Sequence, residues 1–258
     1  MTNPAAEKDK IRPLLAAWEE DPATERLFRR LEVIADPQAH PAVFNMALDE
    51  ALLEHAGATA TLRIYRWLRP ALSIGYFQRF TDVRTSGNHE LVRRWTGGGS
   101  VEHGADFTYS LIIPGPGLAA LGAGQRTYAL IHRALGQALS LAGAAPTQDA
   151  AAPPAGAAAV SPGACFVQPV AHDLLSGGRK IAGAAQRRTR RGLLHQGSVQ
   201  GIEPLDGWPV NWRDRLAEML PGALCLSPAA RPLSAAEESR ANDLAATKYA
   251  TDAWSRRF

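Results

Sequence analysis

Three features of this 258-residue chain have the residue types and spacing for chemistry: a glycine run led by two arginines, a lysine among small residues, and a cysteine ahead of that lysine. The run is Arg93-Arg94-Trp95-Thr96-Gly97-Gly98-Gly99-Ser100-Val101-Glu102-His103-Gly104. Three consecutive glycines cost backbone entropy inside a domain. They suit a place where the backbone comes close to a ligand and turns its N–H groups toward it. Arg93 and Arg94 are suited to pairing with a phosphate or carboxylate. A glycine turn between two strands, with a solvated arginine pair, is the plainer reading of the same residues. His103 follows closely enough to face the same pocket and donate to a carbonyl or phosphate, and Asp106 and Tyr109 are placed to brace the turn.

Lys180 stands in Gly178-Arg179-Lys180-Ile181-Ala182-Gly183-Ala184-Ala185-Gln186. Small neighbours such as Gly183 and Ala185 let an acyl chain or a nucleotide lie against the strand. A lysine at a partly buried strand start can act as a base, or as a cation that polarises a carbonyl. A surface lysine in a basic turn is the alternative. Cys165, in Gly163-Ala164-Cys165-Phe166-Val167-Gln168-Pro169, needs a nearby cation or base to become a thiolate near neutral pH. Lys180 supplies one if the intervening chain folds back. A buried structural cysteine is the alternative. His195, between Leu194 and Gln196, is a pocket candidate or a hydrogen-bonded strand histidine.

Taken together, these blocks resemble the lipoate–protein ligase A and octanoyltransferase family (the biotin/lipoate A/B protein ligase catalytic domain). The family pattern is Arg-Arg-x-x-Gly-Gly-Gly-x-Val-x-His, then Lys-(Ile/Val)-(Ala/Ser)-Gly-(Ser/Ala)-Ala, then His-x-Gly-(Ser/Thr). The chain also carries Asn45-Met46-Ala47-Leu48-Asp49-Glu50, like the family's first helix, and a Trp67 to Gln78 stretch like its hairpin. The resemblance spans about Asn45 to Ser198 in the right order. It implies that Lys180 contacts the acyl carbonyl, and it matches Cys165 to a nucleophile that precedes the lysine in a Cys-Phe-x-x-Pro context. Its first functional implication is an acyltransferase of protein lipoylation. An octanoyl or lipoyl group would pass from acyl carrier protein to Cys165. From there it would reach a lysine of a lipoyl domain of 2-oxoacid dehydrogenases or of the glycine cleavage H protein, with no cofactor. The alternative is a lipoate–protein ligase using ATP and Mg²⁺, with the adenylate against Gly97, Gly98 and Gly99. A further alternative is a non-catalytic paralogue that binds lipoyl domains or acyl groups. Gly104 and the lack of a Gly-Arg-Asn-Asp segment lean toward the transferase, and the Gly-Arg-Gly-Arg-x-Gly-Arg signature of biotin ligases is missing.

Composition sets the outer bounds. The net charge of +3 does not imply nucleic acid, and two cysteines, Cys165 and Cys225, argue against a disulfide framework and fit a reducing cytoplasm. No run is long and apolar enough to cross a bilayer, and the polar start lacks a signal-peptide core, so a cytoplasmic protein without membrane partners is expected. No His/Cys/carboxylate set has metal-ligand spacing.

The elements that must hold these residues read as α/β (α+β). Residues 1–36 form a charged leader with a short helix around Arg12 to Trp18. Residues 37–205 form the catalytic domain. Helical spacing runs from Ala42 to Ala56, and strands are expected at Thr61 to Trp67, Ala71 to Tyr76, Leu91 to Trp95 and Phe107 to Ile113. A helix follows from Arg126 to Ala142 and ends at Gly143. The Ala/Pro/Gly-rich stretch 143–164 reads as a flexible loop. Strands Ile181 to Gln186 and Leu193 to Gln200 pair across a basic turn. Residues 206–258 form a helical tail, clearest from Leu233 to Tyr249, with Ser234 as N-cap and Glu237 three residues on. The expected fold is a mixed, mostly antiparallel sheet flanked by helices, and the resemblance implies a class II synthetase/biotin-ligase-like catalytic domain.

Overall fold

A computed structural model describes residues 29–83, 88–115, 118, 124–143, 146, 170–201 and 210–258. The short helix expected near Arg12, nearly all of the 143–164 loop, and Cys165 lie outside the described residues.

The chain enters on strand β1 (Arg30–His40) and turns at Pro41 into helix α1 (Ala42–Glu54). Pro41 has φ −57°, and its carbonyl accepts the Asn45 N–H, so the ring sits where no helical donor is needed. Ten of the thirteen residues of α1 are buried, which makes it a core helix rather than an amphipathic surface one. Strand β2 (Ala60–Trp67) follows, then β3 (Ala71–Ile74), β4 (Glu90–Arg93), β5 (Val101–His103) and β6 (Phe107–Pro114). Helix α2 (Gly124–Leu141) ends just before Gly143, whose φ of 96° is the left-handed conformation a helix stop calls for. Strands β7 (Leu174–Ser176), β8 (Arg179–Arg188) and β9 (Gly192–Val199) come next, followed by helix α3 (Trp212–Leu224), strand β10 (Ser227–Ala230) and helix α4 (Ala235–Leu244). A π-helical turn (Ala245–Tyr249) and a last short helix, α5 (Asp252–Ser255), close the described chain.

Seven strands form one sheet in the order β10-β1-β2-β6-β9-β8-β7. The β10–β1 and β1–β2 pairs are parallel and the other four antiparallel, so the sheet is mixed and mostly antiparallel, as expected. A smaller sheet, β4-β3-β5, lies beside it. Strand alternation sorts the core into two layers. Leu111, Ile113 and Leu193 face α2 and α3, together with Ile131, Leu135 and Leu216. Ile112 and Leu194 face the opposite way, toward α1 and α4, with Met46, Leu48 and Leu244.

Two expected boundaries move. The end of the leader at residue 36 falls inside β1, where Leu31, Val33 and Ile34 are buried and Leu31 pairs with Ala60. The tail is helical over much of its described length, but it also returns β10 to the sheet, with Ser227 beside Arg30. Strands β1 and β10, from the two ends of the described chain, thus lie side by side in the same sheet. The capping box at Ser234 is present: its Oγ accepts the Glu237 N–H at 3.2 Å, and Glu237 Oε2 accepts the Ser234 N–H at 2.8 Å.

Candidate active site

The two arginines do different work from the anion pairing their types suggest. Arg93 is fully buried and points away from the glycine turn. Its Nη1 donates to the carbonyls of Gly75, Tyr76 and Gln78 at 3.0, 3.1 and 2.7 Å. Its Nε and Nη2 donate to Ser255 and its Nε also to Trp254, which fastens the tail to the small sheet. Arg94 turns the other way. Its Nη1 donates to the carbonyl and hydroxyl of Ser73, and its Nη2 to the carbonyls of Gly97 and Gly99 at 2.8 and 2.6 Å. The turn therefore directs carbonyl oxygens at a cation of its own chain. Gly98 has φ 84°, and a Cβ at Gly75 would overlap the Gly98 carbonyl, so the turn packs directly on the β3 end.

Between the two sheets lies a narrow cleft with about 30 Å³ of free volume. Met46, Tyr65, Trp67 and Val101 give it apolar walls, and Gly183, Ala184 and Ala185 form its floor on β8. Arg94, Ser73 and His103 border it; Arg93, Gly97, Gly98, Gly99 and His195 do not.

Lys180 lies beside that floor, with its ammonium on the Cβ side of Gly183. Its side chain is only 3% exposed, and its Nζ sits 2.7 Å from Asp173 Oδ2. Asp173 also accepts the Tyr128 O–H at 2.5 Å and the Val170 N–H at 2.8 Å, and the Tyr128 oxygen accepts the Ala184 N–H at 3.0 Å. Burial, then the Asp173 charge, pushes the Tyr128 phenol far above its usual range, so it remains a donor. Gly183 makes room for this arrangement: a Cβ there would lie 2.5 Å from Lys180 Cε and 2.7 Å from Nζ. Gly183→Ala is therefore expected to displace the ammonium and to lower turnover roughly ten- to hundredfold, as for ångström-scale misplacement of a reacting group, with little loss of thermal stability. Steady-state kinetics beside a melting curve checks it, and unchanged turnover would contradict it.

His195 is fully buried on the α2 side of the sheet, opposite the face that Gln196 and Ser198 present to the cleft. It sits between Gln186 at 3.1 Å and the Tyr109 hydroxyl at 3.3 Å. Strand alternation thus takes it out of the pocket expected for it. His132 on α2 is its neighbour, stacked on Tyr128 at 4.1 Å. Burial lowers both histidines: His132 to about 4, against the pull of Asp173, and His195 well below its usual value. Both are thus neutral when folded but protonate near pH 6.5 when unfolded. The stability they contribute is full above that pH and is lost as pH falls toward 4, by up to about 1.4 kcal/mol per pH unit for each. Urea midpoints between pH 7.5 and 5 should fall accordingly, and His132→Gln should flatten the curve; superimposable curves would rule this out.

His103 is where the sequence places it, on the rim of the cleft. Its ring stacks on Trp67 at 4.1 Å and 17°. Its Nδ1 is 2.7 Å from Asp106 Oδ2, and its Nε2 is 2.8 Å from Ser73 Oγ. Asp106 also accepts from Thr108 and Ser198 hydroxyls and from the Gly104 N–H. Ser73 lies in the Trp67 to Gln78 stretch that is similar to the family's hairpin, but nothing in its type singled it out there.

Gln196, which lines the cleft, accepts the Thr96 hydroxyl at 2.6 Å and donates to Asp49 Oδ2 at 2.7 Å. Asp49 also receives Arg63 Nη1 at 3.0 Å and the hydroxyls of Ser110 and Tyr65. Cys225 is buried in the core with its thiol pushed up by burial, a structural residue. Among the described residues no group of His, Cys, Asp and Glu could hold a metal ion, and no helix is long and apolar enough to cross a membrane.

The family model for the lipoyl protein ligase A/B catalytic domain matches residues 41–200. The octanoyltransferase LipM of Symbiobacterium thermophilum is 34% identical over 87% of this chain and 97% of its own length. That of Oceanobacillus iheyensis is 38% identical, over 61% of this chain and 59% of its own length, so this second match spans less than two thirds of that relative. Among solved structures, a bi-partite lipoate protein ligase from Thermoplasma acidophilum, described with its E2 lipoyl domain, superposes with a TM-score of 0.61. It is 21% identical over 89% of this chain and 96% of its own, a likeness of fold.

Proposed function

The chain belongs to the lipoyl protein ligase A/B catalytic-domain family, and from that membership we propose that it is an acyltransferase of protein lipoylation. An octanoyl or lipoyl group moves from an acyl-carrier-protein thioester to the Cys165 thiol, releasing the carrier thiol. A lysine amine of a lipoyl domain then attacks the Cys165 thioester, forming an amide and freeing the cysteine. The recipient domains are those of 2-oxoacid dehydrogenases and the glycine cleavage H protein.

The observation that carries this reading is the buried Lys180–Asp173 pair against Gly183 at the floor of an apolar cleft. The walls suit an acyl chain. Paired with a carboxylate, Lys180 is set up as a cation that polarises the acyl carbonyl and steadies the oxyanion. Arg94 and Thr96 shape the rim, and Arg93 acts on the cleft only through the backbone it holds. An ATP-dependent ligase would need cations for the phosphates of an adenylate. Arg93 and Arg94 are both committed to carbonyl oxygens of their own chain, which favours a thioester donor.

The test is intact-mass spectrometry of an apo lipoyl domain incubated with this protein. One reaction holds octanoyl-acyl carrier protein without ATP; the other holds lipoate, ATP and Mg²⁺. An octanoyl gain in the first, with an acyl adduct on the enzyme that disappears in Cys165→Ala, is the expected result. A lipoyl gain only in the second makes the protein a ligase and removes Cys165 from the mechanism.

A further inference from the structure

We propose that Ser73, His103 and Asp106 form a second nucleophilic unit in the cleft, one that hydrolyses medium-chain acyl esters and thioesters through an acyl-serine. It goes beyond the transfer reading and does not depend on Cys165 or on any partner protein.

The geometry is that of a nucleophile, a base and an orienting acid. Ser73 Oγ is 2.8 Å from His103 Nε2, and His103 Nδ1 is 2.7 Å from Asp106 Oδ2. A carboxylate only accepts, so Nδ1 carries the proton and Nε2 of the neutral ring accepts the Ser73 O–H. Asp106 is 2% exposed, and four donors hold it: His103, Thr108, Ser198 and the Gly104 N–H. The stack on Trp67 fixes the imidazole plane. Arg94 Nη1 donates to the same Ser73 oxygen at 2.8 Å and so leaves the hydroxyl proton directed at His103. Ser73, His103 and Arg94 all line the apolar cleft.

The reaction balances with water as co-substrate. Ser73 Oγ bonds to the carbonyl carbon while its proton passes to His103 Nε2. The carbon–sulfur or carbon–oxygen bond to the leaving group breaks, and that group takes the proton from His103. Water then attacks the acyl-serine and gives a proton to His103. The bond to Oγ breaks, Ser73 regains its proton and the fatty acid leaves.

Two probes test this on the full chain: a fluorophosphonate, with peptide mass spectrometry to locate the label, and p-nitrophenyl octanoate. Expected are a label on Ser73 and octanoate release, both retained in Cys165→Ala. In that background, Ser73→Ala and His103→Ala should each lower release about a hundredfold or more. Ser73→Cys keeps the size of the side chain, should melt like the parent, and should become the site of iodoacetamide alkylation. A folded protein with no label at Ser73, or hydrolysis lost in Cys165→Ala alone, overturns the proposal and leaves the transfer reading standing. Label and hydrolysis at Ser73 without acyl transfer to a lipoyl domain would do the reverse.

Discussion

Lys180→Met is expected to lower octanoyl transfer to a lipoyl domain by about a thousandfold or more, the scale of losing a preorganised charge at a developing oxyanion. The substitution keeps the length of the side chain and the space above Gly183, so packing changes little. It also leaves the Asp173 carboxylate buried with Tyr128 and the Val170 N–H as its donors among the described residues. An uncompensated buried charge costs about 3–5 kcal/mol, so stability falls as well. The double variant Lys180→Met/Asp173→Asn separates the two effects, because it removes the orphaned charge. Its melting temperature should recover most of the loss while transfer stays low. Recovery of transfer along with stability would mean that Lys180 is a structural partner of Asp173 and nothing more. Rates by mass spectrometry and melting by calorimetry check this together.

The second large effect is expected at Asp49→Ala, with a loss of about 3–5 kcal/mol and a fall in melting temperature of about 10 °C or more. Asp49 is fully buried on α1 and gathers Arg63, Tyr65, Ser110 and Gln196. Removing it leaves the buried Arg63 guanidinium to Asp36 and Asn45. It also frees Gln196 at the cleft, so the acyl pocket should loosen as stability drops. Asp49→Asn keeps an acceptor in place and should cost less. Chemical denaturation of the three proteins checks the order, and equal stability of Asp49→Ala and the parent would show that the network contributes nothing net.

The elements that carry periodic side chains were legible: α1, β2, β6 and α2 lie within a few residues of their expected bounds, because their core-facing positions repeat with the period of the backbone. β1 was not, since Pro37 and the charged residues around Leu31, Val33 and Ile34 mask its alternation, and its partners lie far along the chain. The four-residue β10 carries a proline and no large side chain, so only the pairing with β1 defines it. In the site, Gly183, Ala185, Arg94 and His103 border one cleft, and Lys180 lies against Gly183. Type could not say which way a side chain points, and that decided Arg93 and His195. The Asn45 to Glu50 block was read as a family helix. Its polar residues turn out to be ties: Asn45 to β2 backbone, Asp49 to the cleft, Glu50 to Lys248 and Tyr249.

The reach of Arg93 has a consequence for how the protein is made. Its carbonyl partner Ser255 is 162 positions downstream, and at 5–20 residues per second the ribosome needs about 8–32 s to deliver it. β1 likewise waits for β10. During that interval a buried-to-be guanidinium and a strand edge stand open, so the nascent chain completes its sheet only after release of most of its length, and its biogenesis is paced by translation rather than by local folding.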